Sequence, residues 1–188
     1  MQTGKLIVLT GPSGVGKGTL MRSLLERHPE LVLSISVTTR FPREGEVEGK
    51  SYYFVDREQF QEMVKTGELL EWAEFAGNFY GTPRLRVMEK INQGESVVLE
   101  IEVKGARQIK QTFPDALRVF ILPPSMVVLE KRLRGRGQDS EEAIAKRLQR
   151  ATEEIEAAGE FDVQLVNDDL EVVLQKLEEI LFDSEDIN

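Results

Sequence analysis

Residues 11–19, Gly-Pro-Ser-Gly-Val-Gly-Lys-Gly-Thr, nearly match the phosphate-binding pattern G-x-x-x-x-G-K-[ST]. Gly11, Gly16 and Lys17 stand at the required positions. Glycines let the backbone wrap a phosphate chain with several N–H groups pointing inward, and the lysine adds a mobile cation. Gly18 departs from the pattern, because a Ser or Thr hydroxyl that reaches Mg²⁺ normally stands there. Thr19 follows one place later, and it either offers its hydroxyl to a phosphate oxygen or is an ordinary first-turn helix residue.

The elements predicted around this stretch favour a working phosphate loop over a glycine-rich turn without a ligand. The apolar run 6–10 predicts a buried strand before the loop, and a helix is predicted over 17–27 after it. This order is the context that the motif requires, and the helix N-terminus adds its positive end. We expect the loop to bind nucleotide phosphates through Gly11, Pro12, Ser13, Gly14, Val15, Gly16, Lys17, Gly18 and Thr19.

A second group of basic residues could bind a dianionic phosphate. Arg40 and Arg43 stand three apart around Pro42, in an extended turn that the proline enforces. Two guanidinium groups held close together suit a phosphate. Two solvated surface arginines are the common alternative, and the residues alone favour it.

Arg147 lies at the edge of an apolar stripe on a predicted helix. A charge at the margin of a buried face needs either a salt bridge or a bound anion, and both explanations stay open. The stripe consists of Ile144, Leu148, Ala151, Ile155 and Ala158.

The apolar runs predict an α/β fold with a parallel sheet covered by helices on both faces. Continuous apolar strands that alternate with helices are typical of such a sheet. The predicted strands are 6–10, 96–101, 118–122 and 163–167, and the predicted helices are 17–27, 104–112, 125–133, 140–158 and 170–181.

The length of 188 residues suits one domain, residues 1–188, with a core of about 1–33 and 94–188. Residues 34–93 predict a small α+β insertion, and the glycine-rich break after residue 133 predicts a lid over about 134–150. Strands are predicted over 34–38 and 51–55, and helices over 57–65 and 83–92. Asp56 with Gln59 forms a capping pattern for the first of these helices, and Gly67 follows its end.

Composition limits the possible functions. The chain has no cysteine and one histidine, which excludes thiolate sites and most histidine-based catalysis. The net charge of −9 opposes binding to nucleic acid or an anionic membrane, so an anionic substrate needs a local cluster of basic residues. No apolar run is long enough to cross a bilayer, and a cytoplasmic location is the default expectation. The sequence does not indicate which protein partners the chain has.

The chain resembles the guanylate kinases over nearly its whole length, about 6–181, and six stretches carry the resemblance. The first is Ser36-Val37-Thr38-Thr39-Arg40-x-Pro42-Arg43-x-Gly45-Glu46-x-x-Gly49-x-x-Tyr52-x-Phe54, which is similar to their GMP-binding segment. The others are 71–75, 77–82, 120–125, 132–137 and 166–169. The resemblance implies transfer of the γ-phosphoryl group of ATP to GMP, and to dGMP, with Mg²⁺.

The resemblance also implies roles for single residues. The GMP phosphate would be bound by Ser36, Arg40, Arg43, Tyr52 and Tyr80, and guanine would be read by Glu71 and Thr82. Lys17, Arg136 and Arg147 would be the catalytic cations on the transferring phosphoryl group, and Asn167 would lie near the adenine of ATP.

The chemistry of guanine agrees with the implied role of Glu71. Guanine presents two adjacent donors, N1–H and the 2-amino group, and an ionised carboxylate accepts both. Adenine has an acceptor at N1, so Glu71 would reject it, while the Thr82 hydroxyl can donate to guanine O6. Without the resemblance, Glu71 would be interpreted as a solvated surface acid.

The sequence differs at two places from the patterns described above, and both differences concern how Mg²⁺ would be held. Gly18-Thr19 resembles the loop of adenylate kinases, in which the metal is held largely through water and distant acids. Glu100 and Glu102 stand where guanylate kinases commonly have two aspartates, and alternation puts both on one side of the strand. Both are expected to contact GMP, and Glu100 is the candidate that holds Mg²⁺ through water.

Two alternatives to an active guanylate kinase stay open. One is a guanylate-kinase-like binding module without catalysis, although such modules typically have eroded phosphate loops. The other is a kinase for a different nucleoside monophosphate, which Gly18-Thr19 favours and the pair Glu71 and Thr82 disfavours.

Overall fold

Strands and helices alternate along most of the chain, as the apolar pattern predicts. The structure is a computed structural model that describes residues 4–75, 77–135 and 140–182. Its strands are β1 Leu6–Thr10, β2 Val32–Leu33, β3 Val37–Thr38, β4 Tyr53–Phe54, β5 Leu69–Phe75, β6 Asn78–Pro83, β7 Val97–Glu100, β8 Leu117–Leu122 and β9 Val163–Val166. Its helices are α1 Lys17–Arg27, α2 Arg57–Lys65, α3 Arg84–Asn92, α4 Val103–Thr112, α5 Met126–Arg134, α6 Glu141–Glu156 and α7 Leu170–Phe182, with a 3₁₀ turn over Ala157–Glu160. In these described ranges, no helix has the length and apolar character that a membrane span needs.

A five-stranded sheet has the order β2-β7-β1-β8-β9. Strand β2 runs parallel to β7 with Val32 opposite Val97, and β8 runs parallel to β9 with Val119 opposite Val163. All five residues of β1 are buried, which is the expected state of a central strand between layers of helices. The predicted α/β class, a parallel sheet flanked by helices, is confirmed.

A second sheet, of four strands, has the order β4-β3-β6-β5. Strand β3 is parallel to β4 and antiparallel to β6, and β5 and β6 form an antiparallel pair. Phe60 of α2 packs on this sheet, with its ring stacked on Phe79 at 5.4 Å and edge-on to Trp72 at 6.4 Å between centroids. The predicted strands over 34–38 and 51–55 are found as two-residue strands, and the sequence pattern does not predict β5 and β6.

Helix α2 begins and ends where its caps predict. The Asp56 carboxylate accepts a hydrogen bond from the Gln59 backbone N–H at 2.7 Å, and the Gln59 side chain accepts one from the Asp56 N–H at 3.1 Å. This reciprocal pair is a capping box, which satisfies two backbone donors at the start of the helix. Gly67, with φ of +72°, follows the end of the helix, as predicted.

Helix α4 is fastened to strand β5 by hydrogen bonds on both sides of Glu71. The Gln108 side chain accepts from the Trp72 N–H at 3.0 Å and donates to the Trp72 carbonyl at 2.7 Å. The Thr112 hydroxyl donates to the Leu70 carbonyl at 2.9 Å. These bonds set the spacing of helix and strand at the position of Glu71.

The chain divides into two compact units, and each unit is made from two separate stretches. The first comprises the residues up to Val8 together with Glu30–Leu117. The second comprises Leu9–Pro29 together with the residues from Arg118 onward. The sequence-based division into a core, an insertion over 34–93 and a lid over 134–150 stays a prediction, and residues 136–139 of the lid lie outside the described residues.

Candidate functional site

The phosphate loop of the second unit connects β1 to α1. Gly16 precedes the first residue of α1 and has φ of +103°, a conformation that disfavours any residue with a side chain. A Cβ atom at Gly16 would also lie 2.6 Å from Nδ2 of Asn167. Both the backbone conformation and the close approach therefore require glycine at this position.

Two polar side chains hold the loop from outside. The Val15 carbonyl accepts hydrogen bonds from Asn167 Nδ2 at 2.8 Å and from Arg132 Nη1 at 3.1 Å. Arg132 Nη2 also donates to the Asn167 carbonyl at 2.9 Å. The loop conformation is thus fixed by side chains from α5 and from the end of β9.

The loop has the features of an anion site. Lys17 Nζ donates to the carbonyls of Gly11 and Pro12, the second at 3.3 Å, so its ammonium group lies against the loop. No side chain caps the start of α1, so no side-chain acceptor competes with an anion for the N–H groups of its first turn. A Cβ atom at Gly18 would have no other heavy atom within 4 Å, so the space beside that residue is open.

A cavity of about 290 Å³ lies in the first unit. Six residues predicted to bind GMP line it together with four that were outside the prediction. The predicted ones are Ser36, Tyr52, Glu71, Tyr80, Glu100 and Glu102. The others are Ala73, Phe75, Ile101 and Gly105.

Glu71 is the most buried acid of this cavity, with 5% of its surface exposed. The buried Thr82 hydroxyl donates to Glu71 Oε1 at 2.6 Å. Burial raises the pKa of Glu71 to about 7, the Thr82 hydrogen bond opposes that rise, and the charge of Glu102 adds to it. The structure therefore brings together the two residues that the resemblance assigns to guanine.

Arg40 is held by several contacts beside the tyrosines of the cavity. Its guanidinium lies 5.3 Å from the centre of the Tyr52 ring, and it shares a hydrogen bond with Tyr80. Arg40 Nη2 donates to Glu46 Oε1 at 2.7 Å, and the Arg43 N–H donates to Glu46 Oε2 at 2.8 Å. The hydrogen bond from Arg40 lowers the pKa of Glu46, and the Arg43 N–H lowers it further. One carboxylate thus joins the two arginine positions.

Other predicted residues are not brought to this cavity. The Arg43 side chain is exposed and lies outside the cavity lining. Arg147 is half-buried on α6, and Arg136 lies outside the described residues. In the described part of the chain, no cluster of three or more acidic or histidine side chains could hold a metal ion.

A family model described as guanylate kinase matches residues 3–184. The chain belongs to the guanylate kinase family. The guanylate kinase of Trichodesmium erythraeum (strain IMS101) is 74% identical over 182 residues, which are 97% of this chain and 98% of that relative. The guanylate kinase of Trichormus variabilis (strain ATCC 29413 / PCC 7937) is 69% identical over 180 residues, 96% of this chain and 90% of that relative.

A solved guanylate kinase has the same fold. The crystal structure of guanylate kinase from Anaplasma phagocytophilum matches with a TM-score of 0.78 and 37% identity, covering 100% of this chain and 88% of that one. A shikimate kinase from Bacteroides thetaiotaomicron matches with a TM-score of 0.50 and 15% identity, covering 94% of this chain and 98% of that one, which shows likeness of fold alone.

Three residues of this guanylate kinase family member have structural roles that the sequence pattern does not predict. Glu46 bridges Arg40 and Arg43, and it lies inside the segment that resembles the GMP-binding segment. Arg132 holds the phosphate loop, but Arg132, Arg134 and Arg136 alternate along the chain, and this spacing does not show which of them faces inward. Gly105 lines the cavity, and a glycine inside a predicted helix was the available signal.

Proposed function

We propose that this chain transfers the γ-phosphoryl group of ATP to GMP, forming ADP and GDP, and that it accepts dGMP as well. The observation that carries this proposal is the buried Glu71 at the cavity of a guanylate kinase family member, with its Oε1 hydrogen-bonded by Thr82. An acid buried to this degree is costly unless a ligand or partner uses its charge. Guanine presents two adjacent hydrogen-bond donors, and the Glu71 carboxylate can accept from both.

In the proposed acceptor site, Glu71 accepts from guanine N1–H and the 2-amino group, and Thr82 contacts the base edge. Glu71 must be ionised to accept both donors. Burial raises the pKa of Glu71 to about 7. The two donors of bound guanine would favour the charged form and would therefore lower this pKa again. AMP would set its N1 acceptor against the carboxylate and bind poorly.

The phosphate of GMP is proposed to bind Ser36, Arg40, Arg43, Tyr52 and Tyr80, with Glu100 and Glu102 contacting the rest of the nucleotide. Support comes from the cavity lining and from the contacts of Arg40 with Tyr52 and Tyr80. Glu46 would keep the Arg40 guanidinium oriented, so that little side-chain freedom is lost when a phosphate binds.

The donor site is proposed to be the phosphate loop, residues 11–19. Backbone N–H groups and Lys17 would bind the phosphates of ATP, and Asn167 would lie near adenine while it holds Val15. Arg136 and Arg147 would neutralise charge on the transferring group. No side-chain nucleophile is needed, because an oxygen of the GMP phosphate attacks the γ-phosphorus as the bond to the departing ADP oxygen breaks.

Magnesium fits the donor set of this chain. The described residues offer no all-protein cage, and Mg²⁺ keeps most of its waters and needs few protein ligands when phosphates are present. Glu100, at the cavity, is the carboxylate proposed to hold it through water. When bound there, the ion would supply positive charge that offsets the negative charge of the ATP phosphates.

The proposed binding partners are the small molecules GMP and ATP, and neither nucleic acid nor a membrane surface is proposed. The net charge of −9 supports this choice, because it opposes binding to polyanions. The cytoplasm is the proposed compartment, as the default expectation for a sequence without an apolar run long enough to cross a bilayer.

One coupled assay tests the proposal. ADP formation from ATP is followed with GMP, dGMP, AMP, UMP or CMP as the acceptor. We expect turnover with GMP and dGMP and little with the others. Binding of GMP without turnover would favour the binding module, and a preference for another acceptor would favour a kinase of different specificity.

A further inference from the structure

Gly105 occupies an unusual place for a glycine. It lies in the first turn of α4, it is buried, and its φ is outside the left-handed region, so the helix itself does not require it. Glycine is among the least favourable residues inside a helix. A residue that weakens the helix at a buried position calls for an explanation from its surroundings.

The neighbour that fills the missing side-chain position is the Glu71 carboxylate. A Cβ atom at Gly105 would lie 2.4 Å from Oε2 of Glu71, 3.1 Å from its Cδ and 3.3 Å from Cδ1 of Ile101. A contact of 2.4 Å is shorter than real Cβ atoms make, so replacing this glycine with alanine would force Glu71 or the helix to move.

The helix has little freedom to retreat. Gln108 bonds both backbone groups of Trp72, and Thr112 bonds the carbonyl of Leu70. These hydrogen bonds flank Glu71 on its own strand and come from the same helix as Gly105. Moving the helix outward would break them, and buried backbone groups without partners are costly. The carboxylate would therefore move instead.

The movable part of that carboxylate is Oε2. Oε1 is held at 2.6 Å by the Thr82 hydroxyl, whereas the place of Oε2 depends on the gap at Gly105. If Oε2 moves, the carboxylate turns about Oε1, which Thr82 holds, and Oε2 leaves its place beside Gly105 in the cavity lining. The side chain would keep its charge and lose the paired acceptor geometry.

We propose that Gly105 is a positioning residue for guanine recognition, because its lack of a side chain keeps Oε2 of Glu71 in place as the second acceptor. This inference rests on the proposed function. It extends guanine recognition to a residue that has no side chain and acts through Glu71. The position of the Glu71 carboxylate then depends on the absence of a side chain at Gly105.

The first test compares Gly105→Ala with wild type and with Gly159→Ala. Gly159 is a suitable control because a Cβ atom there would have no other heavy atom within 4 Å. Loss of one hydrogen bond to a charged group should raise the KM for GMP about tenfold in Gly105→Ala. The KM for ATP and the melting temperature should match wild type, and Gly159→Ala should leave all three values unchanged. An unchanged KM for GMP, an equal rise in the KM for ATP, or loss of folding would overturn the proposal.

The second test is a double-mutant cycle with Glu71→Asp. Aspartate is one methylene shorter, so its carboxylate is withdrawn from the gap and the methyl group introduced by Gly105→Ala has nothing to displace. Gly105→Ala should therefore change the KM for GMP less than about twofold in the Glu71→Asp background. If the two effects multiply instead, the residues act independently and the proposal is wrong.

These outcomes are separate from the fate of the proposed function. Wild-type protein that fails to phosphorylate GMP would refute the proposed function. The same variants would then be compared by the dissociation constant for GMP in calorimetry. A rise of about tenfold in that constant for Gly105→Ala, absent in the Glu71→Asp background, would support the positioning role, and equal constants would refute it.

Discussion

Glu71 is the residue whose substitution should affect GMP use most directly. Replacing it with glutamine sets an amide N–H₂ against one of guanine's two donors, which leaves an unpaired contact in a buried place. We expect Glu71→Gln to raise the KM for GMP at least about tenfold without unfolding the protein. Steady-state kinetics and a melting curve check this, with Glu74→Gln as the control, since Glu74 lies in the same strand but is exposed. A KM within about twofold of wild type, less than one lost hydrogen bond, would show that Glu71 does not read the base.

Gly18 and Glu100 together test how the metal is held. The space beside Gly18 is open, so Gly18→Ser should fold normally and alter the Mg²⁺ requirement only slightly. Glu100→Gln should raise the Mg²⁺ concentration for half-maximal rate several-fold, because it removes the carboxylate proposed to steady the water of the ion. Mg²⁺ titrations at saturating GMP and ATP compare both variants with wild type. If the Glu100→Gln curve overlays wild type while its KM for GMP rises, Glu100 belongs to the acceptor site and not to the metal.

Among the helices, α2 offers a local test of stability. Asp56→Ala removes one half of the capping box and leaves the Gln59 backbone N–H without its acceptor. The free energy of unfolding should fall by about 1 kcal/mol, measured by urea denaturation. Glu62→Ala is the control, because its ion pair with Lys65 is exposed and such pairs contribute little. Equal stability of the two variants would show that the capping box does not contribute.

Elements with local signals are the ones that the sequence predicts to the residue. Helices α1 and α2 have the bounds expected from apolar spacing and from the caps at Asp56 and Gly67. Strand β5 escapes prediction because its first three residues are buried in a row and its last two are exposed, so no alternation marks it. Its conformation depends on the antiparallel pairing with β6, which the apolar pattern of a single stretch does not contain.

The residues of the candidate site also differ in whether a local sequence pattern predicts them. The phosphate loop is predictable from spacing, because glycines and a lysine must follow one another closely to wrap a phosphate. Glu71 and Thr82 come from separate strands, and only the resemblance to guanylate kinases connects them before the fold is known. Arg132 and Gly105 act through contacts with distant parts of the chain, so their roles emerge only from the folded structure.

At the scale of the whole molecule, the titration of Glu71 should make the folded state less stable as the pH rises. Burial raises the pKa of Glu71 to about 7 in the folded protein, above the value of about 4.3 for glutamate in an unfolded chain. Between about pH 4.3 and 7 the folded state binds more protons than the unfolded state, so the free energy of unfolding falls as pH rises. The full effect is on the order of 3 kcal/mol.

Urea denaturation of nucleotide-free protein at about pH 5 and about pH 8 measures this dependence. Glu71→Gln has no titrating group at this position, so its stability should change less between the two pH values than that of wild type. Parallel pH profiles for the two proteins would contradict a raised pKa at Glu71.

The contacts that hold the phosphate loop have a consequence for synthesis. The Val15 carbonyl depends on Arg132 and Asn167, which follow it by 117 and 152 residues. At about 5–20 residues per second, a ribosome reaches Asn167 roughly 8–30 s after Val15. The stretches of the first unit are complete at Leu117, so the nascent chain can form the acceptor cavity before the loop has its supporting side chains. Protease probing of arrested nascent chains of increasing length would reveal this order. GMP could then stabilise a chain that is still being translated, whereas ATP could act only after most of the chain has left the ribosome.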